Sequence, residues 1–107
     1  GEEASLFAGN LYEMYKKYAE KKGWKYTVLD LNKTEMGGMR EASIEFQGKE
    51  AYRKLHEEGG VHRVQRIPAT EKAGRIHTST ASVAVLPKPK KAQVQLNPSE
   101  LRILVSR

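Results

Sequence analysis

The first part of the chain carries apolar side chains at the spacing of an α-helix. Phe7, Leu11, Met14 and Tyr18 recur at intervals of four, three and four residues, which is the period of one helix face. Gly23 follows a lysine-rich turn and can adopt the left-handed conformation that ends many helices. The pattern therefore predicts an amphipathic helix that ends at Gly23.

The spacing then changes to the two-residue period of strands. Residues 24–31 are rich in aromatic and β-branched side chains, and Ala42, Ile44 and Phe46 alternate with polar residues. Such alternation is typical of strands with one buried face. The glycine pair at 37–38 permits a turn between them. We therefore expect two strands joined by this turn.

A second helix and two further strands are predicted in the second half. Residues 51–55 have helical spacing, and residues 76–86 alternate as a strand. Between them, Val61, Val64 and Ile67 recur every three residues, which fits neither a half-buried nor a fully buried strand. Departures from a regular pattern are often functional, so this segment and the loop after it are the first place to look for a site.

The order helix, strand, strand, helix, strand, strand predicts an α+β fold. We expect a two-layer sandwich in which a mainly antiparallel four-stranded sheet carries two helices on one face, leaving its other face free. The sequence PKPKK at 87–91 resembles a stiff basic linker. We therefore predict one domain over residues 1–87 and the beginning of another over 88–107, where Leu101, Ile103 and Val105 form its first strand.

Composition excludes several classes of protein. The 107 residues contain no cysteine, which excludes disulfides, thiolate zinc sites and cysteine nucleophiles. No apolar run approaches the length of a membrane span, and the acidic start does not resemble a secretory signal. These features predict a soluble protein of the cytoplasm or an organelle.

Charge is divided unevenly along the chain. Residues 1–60 hold ten Lys and Arg against eleven Asp and Glu, whereas residues 61–107 hold nine against two, a net charge of +7. A basic half of this kind suits a phosphate-rich partner, because each contacted phosphate releases counterions. The alternative is an ordinary solvated basic surface.

Metal and nucleophilic chemistry have little support. The three histidines, His56, His62 and His77, match no known metal-ligand spacing. Thr78 and Ser79 follow His77, but neighbouring residues of a strand point to opposite faces. The sequence therefore predicts no catalytic residue, no metal site and no cofactor.

RNA recognition fits the residues around 61–78 better. Bases of single-stranded RNA are read by stacking and by hydrogen bonds to their edges. An amide such as that of Gln65 and a hydroxyl such as that of Thr78 can each donate and accept, and His77 can stack on a purine. Arginines can hold phosphates or can simply keep the strand soluble; the candidates are Arg63, Arg66 and Arg75.

The segment GGVHRVQRIPATEKAGRIHTSTASVAVLP at 59–87 resembles the codon-reading domain of class I peptide-chain release factors of the bacterial and organellar type. EEASLFAGNLYEMYKKYAE at 2–20 and LNPSELRI at 96–103 resemble the helix before that domain and the entry to the family's catalytic domain. Pro68-Ala69-Thr70 looks like the P-x-T tripeptide of the factors that decode UAA and UAG.

The resemblance implies a role for each matching position. Thr70, in the tripeptide begun by Pro68, would contact the first uracil and the second base, and Glu3 with the backbone near Gly1 would face the first uracil. His77 would stack on the second base. The third base would be received by Gln65, Ile76 and Thr78. The resemblance also implies that the partners are the stop codon of messenger RNA and ribosomal RNA within the ribosome. The protein would act as a monomer.

The same family hydrolyses peptidyl-tRNA through a Gly-Gly-Gln loop in its next domain, and that tripeptide is absent from these 107 residues. We therefore expect codon recognition without ester hydrolysis, with residues 88–107 as a truncated beginning of the catalytic domain. One rival hypothesis is that the chain is part of an intact esterase. Another is a general RNA-binding or ribosome-associated adaptor without codon specificity.

Overall fold

A computed structural model describes residues 2–69, 71–88 and 100–107. These residues form two helices and five strands in the order α1, β1, β2, α2, β3, β4, β5. Their bounds are α1 Glu2–Lys22, β1 Tyr26–Lys33, β2 Met39–Gln47, α2 Lys49–Leu55, β3 Gly60–Arg66, β4 His77–Lys88 and β5 Glu100–Ser106. The predicted α+β class is confirmed. Neither described helix is long and apolar enough to cross a membrane.

The five strands form one antiparallel sheet in the order β1-β2-β5-β4-β3. The sequence predicts four strands, because residues 101–105 are assigned to a separate unit. Instead, β5 lies in the middle, where Ile103 pairs with Ile44 of β2 and Val85 of β4. The domain division after residue 87 stays a prediction, and most of the predicted linker falls in 89–99, outside the described residues.

Both helices pack on one face of the sheet, as predicted. The central strands supply fully buried side chains to this core, among them Ile44, Phe46 and Ile103. One predicted member of the buried stripe of α1 is wrong, since Met14 is 46% exposed. The small members of the stripe let the helix lie close to the sheet; the buried residues of α1 are Ser5, Phe7, Ala8, Leu11, Tyr12, Tyr15 and Ala19.

The two glycines of the β1–β2 connection have different roles. Gly37 has a φ of 85°, which suits a turn and disfavours other residues. Gly38 is needed for close packing, because a Cβ atom there would lie 2.7 Å from the Cβ atom of Ser5 in α1. The turn is therefore also a contact between the first helix and the sheet.

The irregular pattern of β3 has a structural explanation. Its half-buried positions alternate regularly, at His62, Val64 and Arg66, while Val61 is 63% exposed. The strand thus keeps its two-residue period but places two polar side chains, those of His62 and Arg66, on the face that carries the helices. Each has a polar partner there; for His62 it is the carbonyl oxygen of Glu58, 2.7 Å from Nε2.

Candidate nucleic-acid interface at the β3–β4 hairpin

The segment singled out by the sequence forms a hairpin at the edge of the sheet. In its register Gln65 lies opposite Thr78, and Arg66 lies opposite His77. Residues paired across antiparallel strands project to the same face, and successive residues alternate. Gln65 and Thr78 therefore share the face opposite the helices, and both are exposed.

The loop between the two strands folds around Glu71. The amide of Glu71 donates to the carbonyl oxygen of Pro68 at 3.0 Å. The Glu71 carboxylate accepts a hydrogen bond from the amide of Ala73 at 2.6 Å and one from Nε of Arg75 at 3.3 Å. Gly74 has a φ of 73°, a left-handed conformation that lets the chain turn back towards β4.

His77 completes this arrangement at the start of β4. Its Nε2 atom lies 2.8 Å from Oε1 of Glu71. The amide of Ala73 is the main cause that lowers the pKa of the Glu71 carboxyl, and Arg75 and His77 act in the same direction. Glu71 is therefore ionised at neutral pH, and its charge faces two basic side chains.

The amino-terminal turn of α1 reaches the same hairpin. Arg66 donates from Nε to Oε2 of Glu3 at 2.8 Å and from Nη2 to Oε1 at 3.2 Å. Its Nη1 atom donates to Oδ1 of Asn10 at 2.8 Å, and its guanidinium carbon lies 5.8 Å from the centroid of the Phe7 ring. The hydroxyl of Ser79 also lies 3.5 Å from Oε2 of Glu3.

The structure brings most of the predicted base-reading residues to one end of the molecule. Ile76 is 70% exposed, and His77 is exposed beside it at the start of β4. Pro68 is buried in the turn, and Glu3 approaches from α1. The roles predicted for Gly1 and Thr70 concern positions outside the described residues.

The three predicted phosphate-binding arginines differ in their surroundings. Arg63 is exposed, and no described residue forms a side-chain hydrogen bond or ion pair with it. Arg75 is also accessible, with a side chain 73% exposed. Arg66 is engaged by Glu3 and Asn10, so a phosphate would compete with these partners.

Sequence reasoning missed the organising role of Glu71 and the contact of Asn10. A signal for Glu71 was present, since it is the only acidic residue between positions 59 and 99. A lone carboxylate within a basic segment is a candidate for internal ion pairing. Asn10 carried no such signal, because nothing in the sequence shows which side of α1 meets β3. Among the described residues, no three metal-ligating side chains cluster.

Comparison with known proteins places the chain among release factors. A family model described as the PCRF domain matches residues 1–83. The protein named "Peptide chain release factor 1" of Borrelia turicatae (strain 91E135) is 56% identical over 107 residues, which is 100% of this chain and 30% of that relative. Proteins of the same name from Carboxydothermus hydrogenoformans and Hydrogenobaculum sp. are 53% and 55% identical over 103 residues, 96% of this chain and 29% of each relative. The chain thus spans about 30% of the length of these relatives.

Proposed function

The chain belongs to the PCRF domain family, and on this premise we propose that it recognises the stop codons UAA and UAG during translation termination. In this proposal it acts at the ribosome, in the cytoplasm, as the codon-reading part of a peptide-chain release factor. Its partners are the stop codon of messenger RNA and surrounding ribosomal RNA, and it works as a monomer.

The observation that carries the proposal is the exposed hairpin end. Gln65 and Thr78 are opposite each other on one face, and each can donate or accept a hydrogen bond. Such groups suit a base position that tolerates adenine and guanine. His77 and Ile76 stand exposed at the adjoining end of β4, where they would meet the second and third bases.

The proposal gives the remaining residues supporting roles. Thr70, with Pro68, contacts the first uracil and the second base, and the first turn of α1 near Gly1 and Glu3 faces the first uracil. Free amides at a helix start suit a uracil carbonyl. Arg63 and Arg75 hold phosphates, whereas Arg66 joins them only if RNA displaces its pairing with Glu3. We propose no ester hydrolysis by these 107 residues.

A chimera provides the assay. This chain would replace the matching segment of the Borrelia turicatae relative, and release of labelled peptide would be measured on ribosomes with UAA, UAG, UGA or a sense codon. We expect release on UAA and UAG only. Replacing Pro68-Ala69-Thr70 by Ser-Pro-Phe removes the threonine hydroxyl and should selectively reduce release on UAG.

Each outcome discriminates between hypotheses. Equal action on stop and sense codons would support the general RNA-binding adaptor and overturn the proposal. Unchanged UAG release after the tripeptide replacement would remove Thr70 from the reading residues. Peptide release by the isolated 107-residue chain would overturn the expectation that these residues recognise the codon without hydrolysing the ester.

A further inference from the structure

The carboxylate of Glu71 is enclosed although the loop around it is open. Its side chain is 4% exposed, whereas residues 72–78 are all exposed. Three groups from the following six residues converge on it: the amide of Ala73, Nε of Arg75 and Nε2 of His77. The loop therefore folds around an ionised carboxylate and not around an apolar side chain.

The contact with His77 has a chemical consequence for the ring. An ionised carboxylate only accepts hydrogen bonds, so the Nε2 atom 2.8 Å away must carry a proton. The partner of one ring nitrogen thus decides the tautomer. In the neutral ring Nδ1 is then the acceptor, and within the described ranges no group bonds to it.

We propose that Glu71 is a positioning residue for codon reading, acting through His77. It fixes the plane and the tautomer of the imidazole and holds the loop curved before any RNA arrives. This inference rests on the proposed function, since it assigns His77 to the base that the ring contacts. A site ordered in advance loses less conformational entropy on binding.

The charge balance supports this arrangement. A bare carboxylate beside RNA would repel phosphates, but Glu71 faces Arg75 and His77. These two contacts balance the negative charge within the loop. Residues 61–107 have a net charge of +7. Because this value already includes Glu71, the second half of the chain stays strongly basic with the carboxylate in place.

The test uses Glu71→Gln, which keeps the shape of the side chain. A glutamine has one acceptor oxygen, and its NH₂ group would face a donor at the other position. With its oxygen on the amide of Ala73, its NH₂ group faces His77, and Nε2 can accept a hydrogen bond from it only in the Nδ1–H tautomer. Glu57→Gln is the matched control, because Glu57 forms the corresponding pair with Nε2 of His56 at 3.5 Å beyond the end of α2.

The first measurement is the ¹⁵N spectrum of the histidine rings in the 107-residue chain, at a pH where the imidazole is neutral. We expect the Nε2–H tautomer of His77 to dominate in the unmodified chain and in Glu57→Gln, and a mixture of tautomers in Glu71→Gln. If Glu71→Gln does not fold, Glu71→Asp, which withdraws the carboxylate by one methylene, should show the mixture. An unchanged tautomer in the folded variant would overturn the inference, whether or not the chain binds stop codons.

The second measurement is release by the chimera with Glu71→Gln in two backgrounds. With His77 present, we expect the concentration for half-maximal release on UAA to rise about tenfold, because a hydrogen bond to a charged group is lost. With His77→Phe, the same change should have an effect of about threefold or less, since the residue it acts through is gone. Equal losses in both backgrounds would show that Glu71 only supports the loop. If the chimera shows no stop-codon preference, the proposed function is refuted. The tautomer measurement alone then tests whether Glu71 positions the His77 ring.

Discussion

Nε of Arg66 lies 2.8 Å from Oε2 of Glu3, a residue 63 positions earlier in the chain. A second bond from Nη2 to Oε1, at 3.2 Å, makes the pair bidentate, which is the stronger geometry for an arginine and a carboxylate. The pair joins the first turn of α1 to the end of β3. Two parts of the proposed codon-reading surface are therefore positioned by one ion pair.

Breaking this pair should destabilise the fold. In Arg66→Met the Glu3 side chain, 12% exposed, would lose its charged partner, and we expect the free energy of unfolding to fall by about 1–3 kcal/mol. Arg63→Met is the control, because Arg63 is exposed on the same strand, and it should change stability by less than about 0.5 kcal/mol. Urea unfolding of the two variants measures the difference, and equal losses would contradict a structural role for the pair.

Gln65 should decide tolerance at the third base. Gln65→Glu keeps the size of the side chain but leaves only acceptors at neutral pH, so adenine's amino group can still be met while guanine O6 faces a carboxylate. In the chimera we expect UAG release to fall relative to UAA by about 1–3 kcal/mol. Adding Thr78→Val should increase the loss, because the two residues are opposite each other.

The matched control for that experiment is Gln47→Glu, the same change at an exposed position at the end of β2. It should leave the ratio of UAG to UAA release unaltered. If Gln65→Glu lowers release equally on both codons, Gln65 supports the strand and does not read the base.

Arg63 should contribute affinity without codon preference. Arg63→Ala removes an exposed positive charge, so ribosome association should weaken equally on UAA and UAG and depend less on salt. The slope of log affinity against log salt should decrease by about one. Lys17→Ala, at an exposed position of α1, controls for net charge. An effect restricted to one codon would contradict a phosphate contact.

Tyr15 should make stability sensitive to alkaline pH. Burial is the main cause that raises the pKa of its phenol, and the 2.8 Å hydrogen bond to Glu58 adds to it. A pKa raised by folding means that its stabilisation is complete below the unfolded value of about 10. That contribution is lost as the pH rises from there towards the folded pKa. Unfolding experiments above about pH 10 should therefore show a decline in stability that Tyr15→Phe reduces.

At neutral pH the same substitution should cost about 0.5–1.5 kcal/mol, because the hydrogen bond to Glu58 is removed. Tyr26→Phe is the comparison, since the Tyr26 hydroxyl donates to Glu20 at 2.7 Å at the surface. Comparing the stability losses of the two variants separates the effect of the hydrogen bond from that of burial. An alkaline decline as steep in Tyr15→Phe as in the unmodified chain would assign it to other groups.

The sequence by itself determined the elements and the segment of interest. The periods of its apolar residues identify both described helices and four of the five described strands, the exception being β3, and those of β4 place Ala81 and Val83 on the buried face. This succeeds because the repeat of a helix or strand is a local property of neighbouring residues. The hairpin with Gln65, His77 and Thr78 is likewise a local unit, so the sequence alone predicts the candidate surface.

Tertiary structure decided how these elements combine. The position of β5 between β2 and β4, the exposure of Met14 and the pairing of Glu3 with Arg66 depend on contacts between distant parts of the chain. Apolar alternation shows that a strand has a buried face but does not name its neighbours. A charged side chain likewise reveals its sign in the sequence, while its partner is chosen by the packing that brings the two groups within hydrogen-bond distance.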